Sequence, residues 1–200
     1  MMKKTNYFFL IGLMLLIGCS VGTTNWNDHI DAESRAQIKS LNDKMIEAFH
    51  ENNPQKLKEI FSDKLKEKTG ADLDAFVAKV HGSFESTNYS LLDEYKTNTT
   101  AVGSVGTVFK GISGEYDYKV NFESLTKDTY ISLVINDGIA NKVLLTCIYG
   151  KYDDGWKMNV LKIGDYSYFG KNAVDFYKQA KTNFQPLLEF SPTTPDVLML

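Results

Sequence analysis

The residue types able to do nucleophilic, acid–base or metal chemistry are few in this chain, and their spacing narrows what is open to them. The two cysteines are Cys19 and Cys147, and the three histidines are His29, His50 and His81. No two of these have the close spacing of a zinc ligand set, and Cys147 has no thiol neighbour, so no metal and no cofactor is expected. Cys147 lies inside Val143-Leu144-Leu145-Thr146-Cys147-Ile148, where a thiol acts as a small inert hydrophobe rather than a nucleophile. His50 and His81 fall near expected helix ends, where a cationic ring favours carbonyl groups. Neither GxxxxGK[ST] nor GxSxG occurs, and Gly103, Gly106, Gly111 and Gly114 read as bulge and turn positions. A carboxylate serves as a catalytic base when its surroundings tune its pKa. The two that strand parity places, Asp117 and Glu123, fall on a wet face, so no catalytic residue is assigned. The aromatics Tyr116, Tyr118, Phe122, Tyr149, Trp156, Tyr166 and Tyr168 cluster in the second half of the chain. As a group they are suited to line an apolar pocket or a protein-binding surface.

The elements that must position these residues follow from periodicity. A first helix begins near Asp31 or Ser34, where Ser34 and Gln37 have capping-box spacing, and Ile38, Leu41, Met45 and Phe49 share one face. Asn52-Asn53-Pro54 ends it and starts the next, with Pro54 suited to a first helical position. Leu57, Ile60, Phe61 and Leu65 make a second stripe, and Leu73, Phe76, Val77, Val80 and Phe84 a third. After Ser86 the period becomes two. Strands are expected near Asn88–Asn98, Ser104–Phe109, Glu115–Glu123, Thr129–Asn136, Lys142–Tyr152 and Gly155–Tyr166, with turns at Asp137-Gly138 and Asp153-Asp154-Gly155. Tyr116, Tyr118, Val120 and Phe122 alternate with polar residues, which gives one buried face and one wet face. Val143 to Ile148 is apolar on both faces, as an interior strand requires. A last helix carries Ala173, Phe176, Tyr177 and Ala180. From Gln185 the chain holds three of its four prolines, which rules out one long helix or a central strand. Its apolar end, Val197-Leu198-Met199-Leu200, is open to packing on the body, meeting a partner, or leading into a longer product.

The first twenty residues carry an address. Lys3 and Lys4 precede the apolar run Tyr7 to Ile17, which ends in Leu16-Ile17-Gly18-Cys19. A basic start, an apolar stretch of ~7–15 residues and a small residue at the end are the parts of a secretory signal, and the run is shorter than the ~20 residues a bilayer span needs. Those parts alone leave a plain secretory signal or an uncleaved anchor open. With the cysteine in place the segment resembles the signal peptide and lipobox of a bacterial lipoprotein. The resemblance implies export, cleavage before Cys19, and fatty acyl chains on Cys19 that tie the protein to a membrane. Ser20 stands where an Asp resembles an inner-membrane retention signal, so the outer membrane is expected in preference to the inner. The chain then divides into a leader, 1–18, a polar tether, 19–30, one domain, 31–184, and a proline-rich tail, 185–200. A formal charge of −3 with Arg35 as the sole arginine excludes a nucleic-acid partner.

Helices followed by a curved antiparallel sheet make an α+β fold. The stretch Ala48-Phe49-His50-Glu51-Asn52-Asn53-Pro54-Gln55-Lys56-Leu57-Lys58-Glu59-Ile60-Phe61-Ser62-Asp63 and the hairpin Tyr152-Asp153-Asp154-Gly155-Trp156-Lys157-Met158 resemble the NTF2-like (SnoaL-like, cystatin-like cone) superfamily. The resemblance spans about Ser34 to Phe169, and the last helix and the tail depart from it. It implies helices packed on a curved sheet around a cone-shaped interior. Enzymes of that superfamily place a carboxylate with a tyrosine, or a His–Asp pair, inside the cone, and no position here matches that pattern. The expected function is therefore a non-enzymatic, membrane-anchored envelope protein. It would bind a protein partner or a small apolar or peptide ligand, or serve as a structural accessory subunit of an envelope complex, with an isomerase or lyase that uses the cone cavity as the alternative.

Overall fold

A computed structural model describes residues 22–110, 118–137 and 141–189. The leader, Cys19, Tyr116, Asp117, Gly111, Gly114, Gly138 and the tail beyond Glu189 lie outside the described residues.

The first described element is β1 (Thr23–Trp26), followed by a 3-10 turn at Asn27–His29, both inside the span read as a tether. Asp31, not Ser34, caps the long helix α1 (Ala32–His50): its carboxylate accepts from the Ser34 backbone N–H at 2.8 Å. The capping box is unused because Ser34 and Gln37 bind elsewhere, Ser34 Oγ to Lys96 Nζ at 2.9 Å and Gln37 to Glu33 at 3.2 Å. Lys96 also bonds Asp31, and that bond together with the Ser34 N–H lowers the Asp31 pKa to about 2. Asn52 turns the chain at φ +51°, and Asn53 caps α2 (Pro54–Ile60) with Pro54 in its first turn. The second apolar stripe is buried throughout but divided between two helices. Phe61 is extended and bridges to Met158, the Ser62 N–H donates to the Met158 carbonyl at 2.9 Å, and Ser62 then caps α3 (Asp63–Thr69). Helix α4 (Asp72–Val80) buries Leu73 and Val77 and passes through a 3-10 turn at His81–Ser83 to the buried Phe84.

The remaining strands are β2 (Tyr89–Asn98), β3 (Val105–Lys110), β4 (Tyr118–Glu123), β5 (Asp128–Asn136), β6 (Val143–Tyr152) and β7 (Gly155–Asp165). Five strands form one antiparallel sheet in the order β1-β2-β5-β6-β7, so β6 is interior as its two apolar faces require. The β6–β7 hairpin turns at Asp153 and Asp154, and Gly155 leaves the turn at φ +119°. The helices cover one face of the sheet, where Phe49, Leu57, Leu73, Tyr130, Leu145, Tyr149 and Met158 form the main core.

Two of the six expected strands are not in that sheet. β3 and β4 pair only with each other, as a ribbon whose apolar side, Val108 and Phe122, packs on Tyr95, Ile131, Leu133 and Ile148 of the opposite sheet face. The alternation in β4 requires one covered face, and the apolar face of β5 and β6 opposite the helices supplies the cover. Gly106 lies opposite Phe122, and a Cβ there would collide with the ring.

A short hairpin, β8 (Ser167–Tyr168) and β9 (Lys171–Asn172), leads into helix α5 (Ala173–Glu189). Asn172 and Asp175 cap its start reciprocally, at 2.9 and 3.0 Å. The helix differs from expectation in two ways. Phe176 and Tyr177 remain 45% and 69% exposed, so their stripe is outside the core. The helix also runs across Pro186 to Glu189, because one missing backbone donor does not end it before the tail.

Candidate functional site

The ribbon-covered face holds the chemistry that periodicity did not reveal. β2 carries an irregularity between Leu91 and Asp93, and this extra residue turns the Asp93 carboxylate toward the ribbon. Asp93 is 3% exposed. It accepts hydrogen bonds from Asn27 Nδ2 at 2.9 Å, Tyr118 Oη at 2.6 Å and Lys110 Nζ at 2.9 and 3.0 Å. Asn27 comes from the 3-10 turn after β1, at φ +46°, and its Oδ1 accepts from the Glu94 backbone N–H at 2.8 Å. Three elements thus converge on one carboxylate: the turn after β1, the end of β3 and the start of β4.

Charge and proton positions in this cluster are determined by those contacts. Burial pushes the Asp93 pKa up, but the bonds from Asn27, Tyr118 and Lys110 more than offset it, and the carboxyl ends below its ordinary value. Burial and the neighbouring Asp93 raise the Tyr118 pKa, so its phenol stays protonated. Tyr118 gives its one hydrogen to Asp93, so Tyr95 donates across the 2.7 Å contact to the Tyr118 oxygen. The outcome is a saturated carboxylate, held ionised, beside a neutral tyrosine pair.

Two cavities meet at this cluster. One, of about 530 Å³, lies between β1 and β3 and is lined by Thr24, Trp26, Asn27, Asp93, Tyr95 and the β3 residues Thr107 to Lys110. Trp26 and Phe109 stand 54% and 57% exposed at its walls. The other, of about 630 Å³, lies between β4, the sheet and the start of α5. Its surface is mainly apolar, with Leu92, Val120, Leu133, Leu144 and Val174, and Lys110 belongs to both cavities.

The helix-covered face is filled. Tyr149 Oη donates to Asn42 Oδ1 at 2.7 Å and Asn42 Nδ2 donates to Ser132 Oγ at 3.0 Å, all three residues being buried. Cys147 sits beside Met45 at 3.4 Å, and burial pushes its pKa up to about 12, which leaves the thiol protonated and inert. Glu94, the other buried carboxylate, faces the helices and pairs with Arg35 at 3.3 Å. The buried Tyr130 hydroxyl and Trp156 Nε1 have no hydrogen-bond partner among the described residues.

The histidines make contacts within the fold. His50 Nδ1 donates to the Phe84 carbonyl at 2.8 Å and His81 Nδ1 to the Phe49 carbonyl at 2.9 Å, which clamps the end of α1 to the turn after α4. His29 stacks edge-on against Trp26, with ring centroids 5.3 Å apart. Glu123 is exposed, as its parity requires. The aromatic group is divided among four places. Tyr118 and Tyr166 line the larger cavity, Phe122 packs from the ribbon onto the sheet, Tyr149 and Trp156 belong to the helix-side core, and Tyr168 is exposed. Asp93 and Lys110 were missed as site residues. The available signal was the pair Asp93-Glu94 inside Leu91-Leu92-Asp93-Glu94-Tyr95, two carboxylates in an otherwise apolar strand.

Among the described residues no cluster of three or more His, Cys, Asp or Glu is placed to hold a metal ion. The chain matches no family model, no curated protein and no solved structure.

Proposed function

We propose that this chain is a non-enzymatic, lipid-anchored binding protein of the bacterial cell envelope, with an NTF2-like body that holds a small apolar ligand between its sheet and the β3–β4 ribbon. The observation that carries this reading is the 630 Å³ apolar cavity beside a saturated carboxylate. Cavities of ~300–1,000 Å³ lined by apolar side chains with a few convergent polar groups are the usual form of a small-molecule site. A general base works best with a pKa near the operating pH. Asp93 is shifted the other way and has donors on both oxygens. That chemistry suits orientation and charge balance rather than proton abstraction.

The NTF2-like reading draws support from the order of elements, helices first and then an antiparallel sheet with α1 on one face. The ribbon on the opposite face moves the open space out of the helix-side interior, which is filled by Phe49, Tyr130 and Tyr149. The anchor reading rests on the leader motif. Gly22 is three residues from Cys19, so a lipidated cysteine would hold the body within roughly 10–11 Å of the bilayer surface. Each buried methylene of such an anchor contributes ~0.8 kcal/mol, and two or more chains make attachment lasting.

Two experiments test the parts separately. Cys19→Ser is expected to move the protein from the membrane fraction to the soluble fraction, and retention in washed membranes would contradict the anchor. Organic extraction of the purified protein followed by mass spectrometry is expected to release an apolar small molecule in near-stoichiometric amount. A preparation that yields none and binds no hydrophobic probe would contradict the ligand site.

A further inference from the structure

Pairing in the β3–β4 ribbon leaves the far edge of β3 without a partner, and what surrounds that edge defines what fits it. The Ser124 N–H donates to the Ser104 carbonyl at 2.9 Å and the Gly103 N–H to the Ser124 carbonyl at 2.7 Å, with Gly103 at φ +86°. Bonded and non-bonded pairs alternate along an antiparallel ladder. From Ser104 and Ser124 the bonded pairs therefore continue as Gly106 with Phe122, Val108 with Val120 and Lys110 with Tyr118. Val105, Thr107 and Phe109 fall between them and direct their backbone N–H and C=O groups away from β4. β3 pairs with β4 alone, so among the described residues no strand receives those groups.

The other edges are guarded by charge, cover or shortness, as sheet edges generally are. β4 carries Lys119 and Glu123, the Ser62 N–H bonds to β7 at Met158, and β1 spans only 4 residues. Val105-Gly106-Thr107-Val108-Phe109 holds no charge and no proline, and Lys110 at its end is drawn to Asp93. Val105 and Phe109 stand 78% and 57% exposed. Beside this edge, between β3 and β1, run the cavity of about 530 Å³ and a second of about 210 Å³, which share Thr24 and Thr107. Trp26 pairs with Tyr95, which puts both rings on the side of the sheet that faces the ribbon.

We propose that the β3 edge docks an extended, uncharged, proline-free segment of a partner protein, which adds to the ribbon as a further strand. Strand addition draws affinity from main-chain hydrogen bonds and specificity from pockets for alternate side chains. A segment of about six residues matches Val105–Lys110 in length. Its side chains on the sheet side enter the two cavities beside Trp26, Tyr95 and Val108, where apolar groups suit. Those on the other side lie next to Val105, Thr107 and Phe109, where β-branched residues make good cross-strand partners. The charges lining the larger of the two, Lys110 and Asp93, neutralise one another. A charged segment would lose hydration there and gain no partner. A second copy of this chain fits less well, because its own β1 stands across the cavity from its β3. The site is on the opposite edge of the ribbon from the apolar cavity beside α5 and does not depend on a ligand there.

The test is amide hydrogen exchange, followed by NMR, on the full chain carrying Cys19→Ser, with a capped hexapeptide of alternating Thr and Val as the probe. In the free protein the Val105, Thr107 and Phe109 amides are expected to exchange fast, while Gly106 and Val108, bonded to β4, exchange slowly. An excess of probe is expected to slow the edge amides at least about tenfold. The same peptide with a central proline, or with Lys and Glu in place of Thr and Val, should bind about tenfold more weakly or worse. Thr107→Pro removes an outward donor while keeping the bonds to β4. It should weaken the probe about tenfold or more with little change in melting temperature. Methylating alternate amide nitrogens of the probe gives a reading that needs no variant: one phase should abolish binding and the other spare it, since alternate N–H groups point to opposite edges. Equal loss in both phases, or protection that Thr107→Pro leaves unchanged, would overturn pairing at β3. Equal or tighter binding of the charged peptide would overturn the uncharged segment. Edge amides that are slow without a probe and speed up on dilution would assign the edge to a second copy. Edge amides slow at every dilution would assign it to another segment of this chain, and either result overturns the partner. Absence of protection by any probe would overturn the proposal and leave the ligand cavity untouched.

Discussion

Asp93→Ala is expected to destabilise the protein by about 3 kcal/mol, the cost of leaving buried donors without an acceptor. The carboxylate is the shared acceptor for Asn27, Tyr118 and Lys110, which come from three elements. Lys110 is half-exposed and can turn to water. The Asn27 amide and the Tyr118 hydroxyl are held by their own elements and would lose this partner. For a body of this size each kcal/mol lowers the melting temperature by ~2–4 °C, so a fall of roughly 6–12 °C is expected by differential scanning calorimetry. Asp93→Asn keeps the shape and one acceptor but turns an amide toward two donors, so an intermediate loss is expected.

The pH dependence of that pair has a definite sign. The folded pKa of Asp93 lies below its ordinary value of 3.8. Its contribution to stability is therefore fully present above that value and is lost as pH falls through the lower folded pKa. The stability difference between wild type and Asp93→Asn, measured by urea unfolding, is expected to be largest near neutral pH and to shrink below about pH 4. A difference that stays constant from pH 7 to pH 3 would show that charge plays no part in the cluster.

Phe49→Ala is expected to cost about 4 kcal/mol, within the range for truncating a fully buried aromatic ring. Phe49 stacks on Phe84 with centroids 4.6 Å apart and meets Phe76 edge-on at 6.2 Å. The paired bonds of His50 to the Phe84 carbonyl and of His81 to the Phe49 carbonyl hold the same two segments together. The surrounding backbone therefore cannot collapse into the space left by the ring, which puts the expected cost toward the upper part of the range. Urea unfolding should show the midpoint falling with an unchanged slope. A loss under about 1 kcal/mol would mean that the end of α1 does not depend on this stack.

The contrast between these two sites explains what the sequence revealed. Phe49 sits in a stripe with Ile38 and Met45, and helical spacing alone marks all three as core. The period of two likewise located β2 through β7 to within about two residues at most described ends, because each of those strands buries at least one face. β1 escaped notice because Thr23–Trp26 is short, polar and exposed at every position, and its only reason to be extended is the edge of β2 beside it. The separation of β3 and β4 into a ribbon was equally hidden, since alternation reveals that a face is covered and not by what. Asp93 was hidden for a third reason. The irregularity after Leu91 resets the strand's parity, so the face on which its carboxylate lands depends on one extra residue. Its partners lie 66, 25 and 17 residues away, in elements whose meeting is a property of the tertiary fold.

The most direct test of the ligand site needs no knowledge of the head group. Xenon enters dry apolar cavities in proteins, so methyl-resolved NMR under xenon pressure reports where accessible apolar space lies. Shifts are expected at Leu92, Val120, Leu133, Leu144 and Val174, which line the space between sheet, ribbon and α5. Ile38, Leu57 and Leu145, in the filled helix-side core, should not respond. Shifts confined to that core, or none at all, would contradict the account.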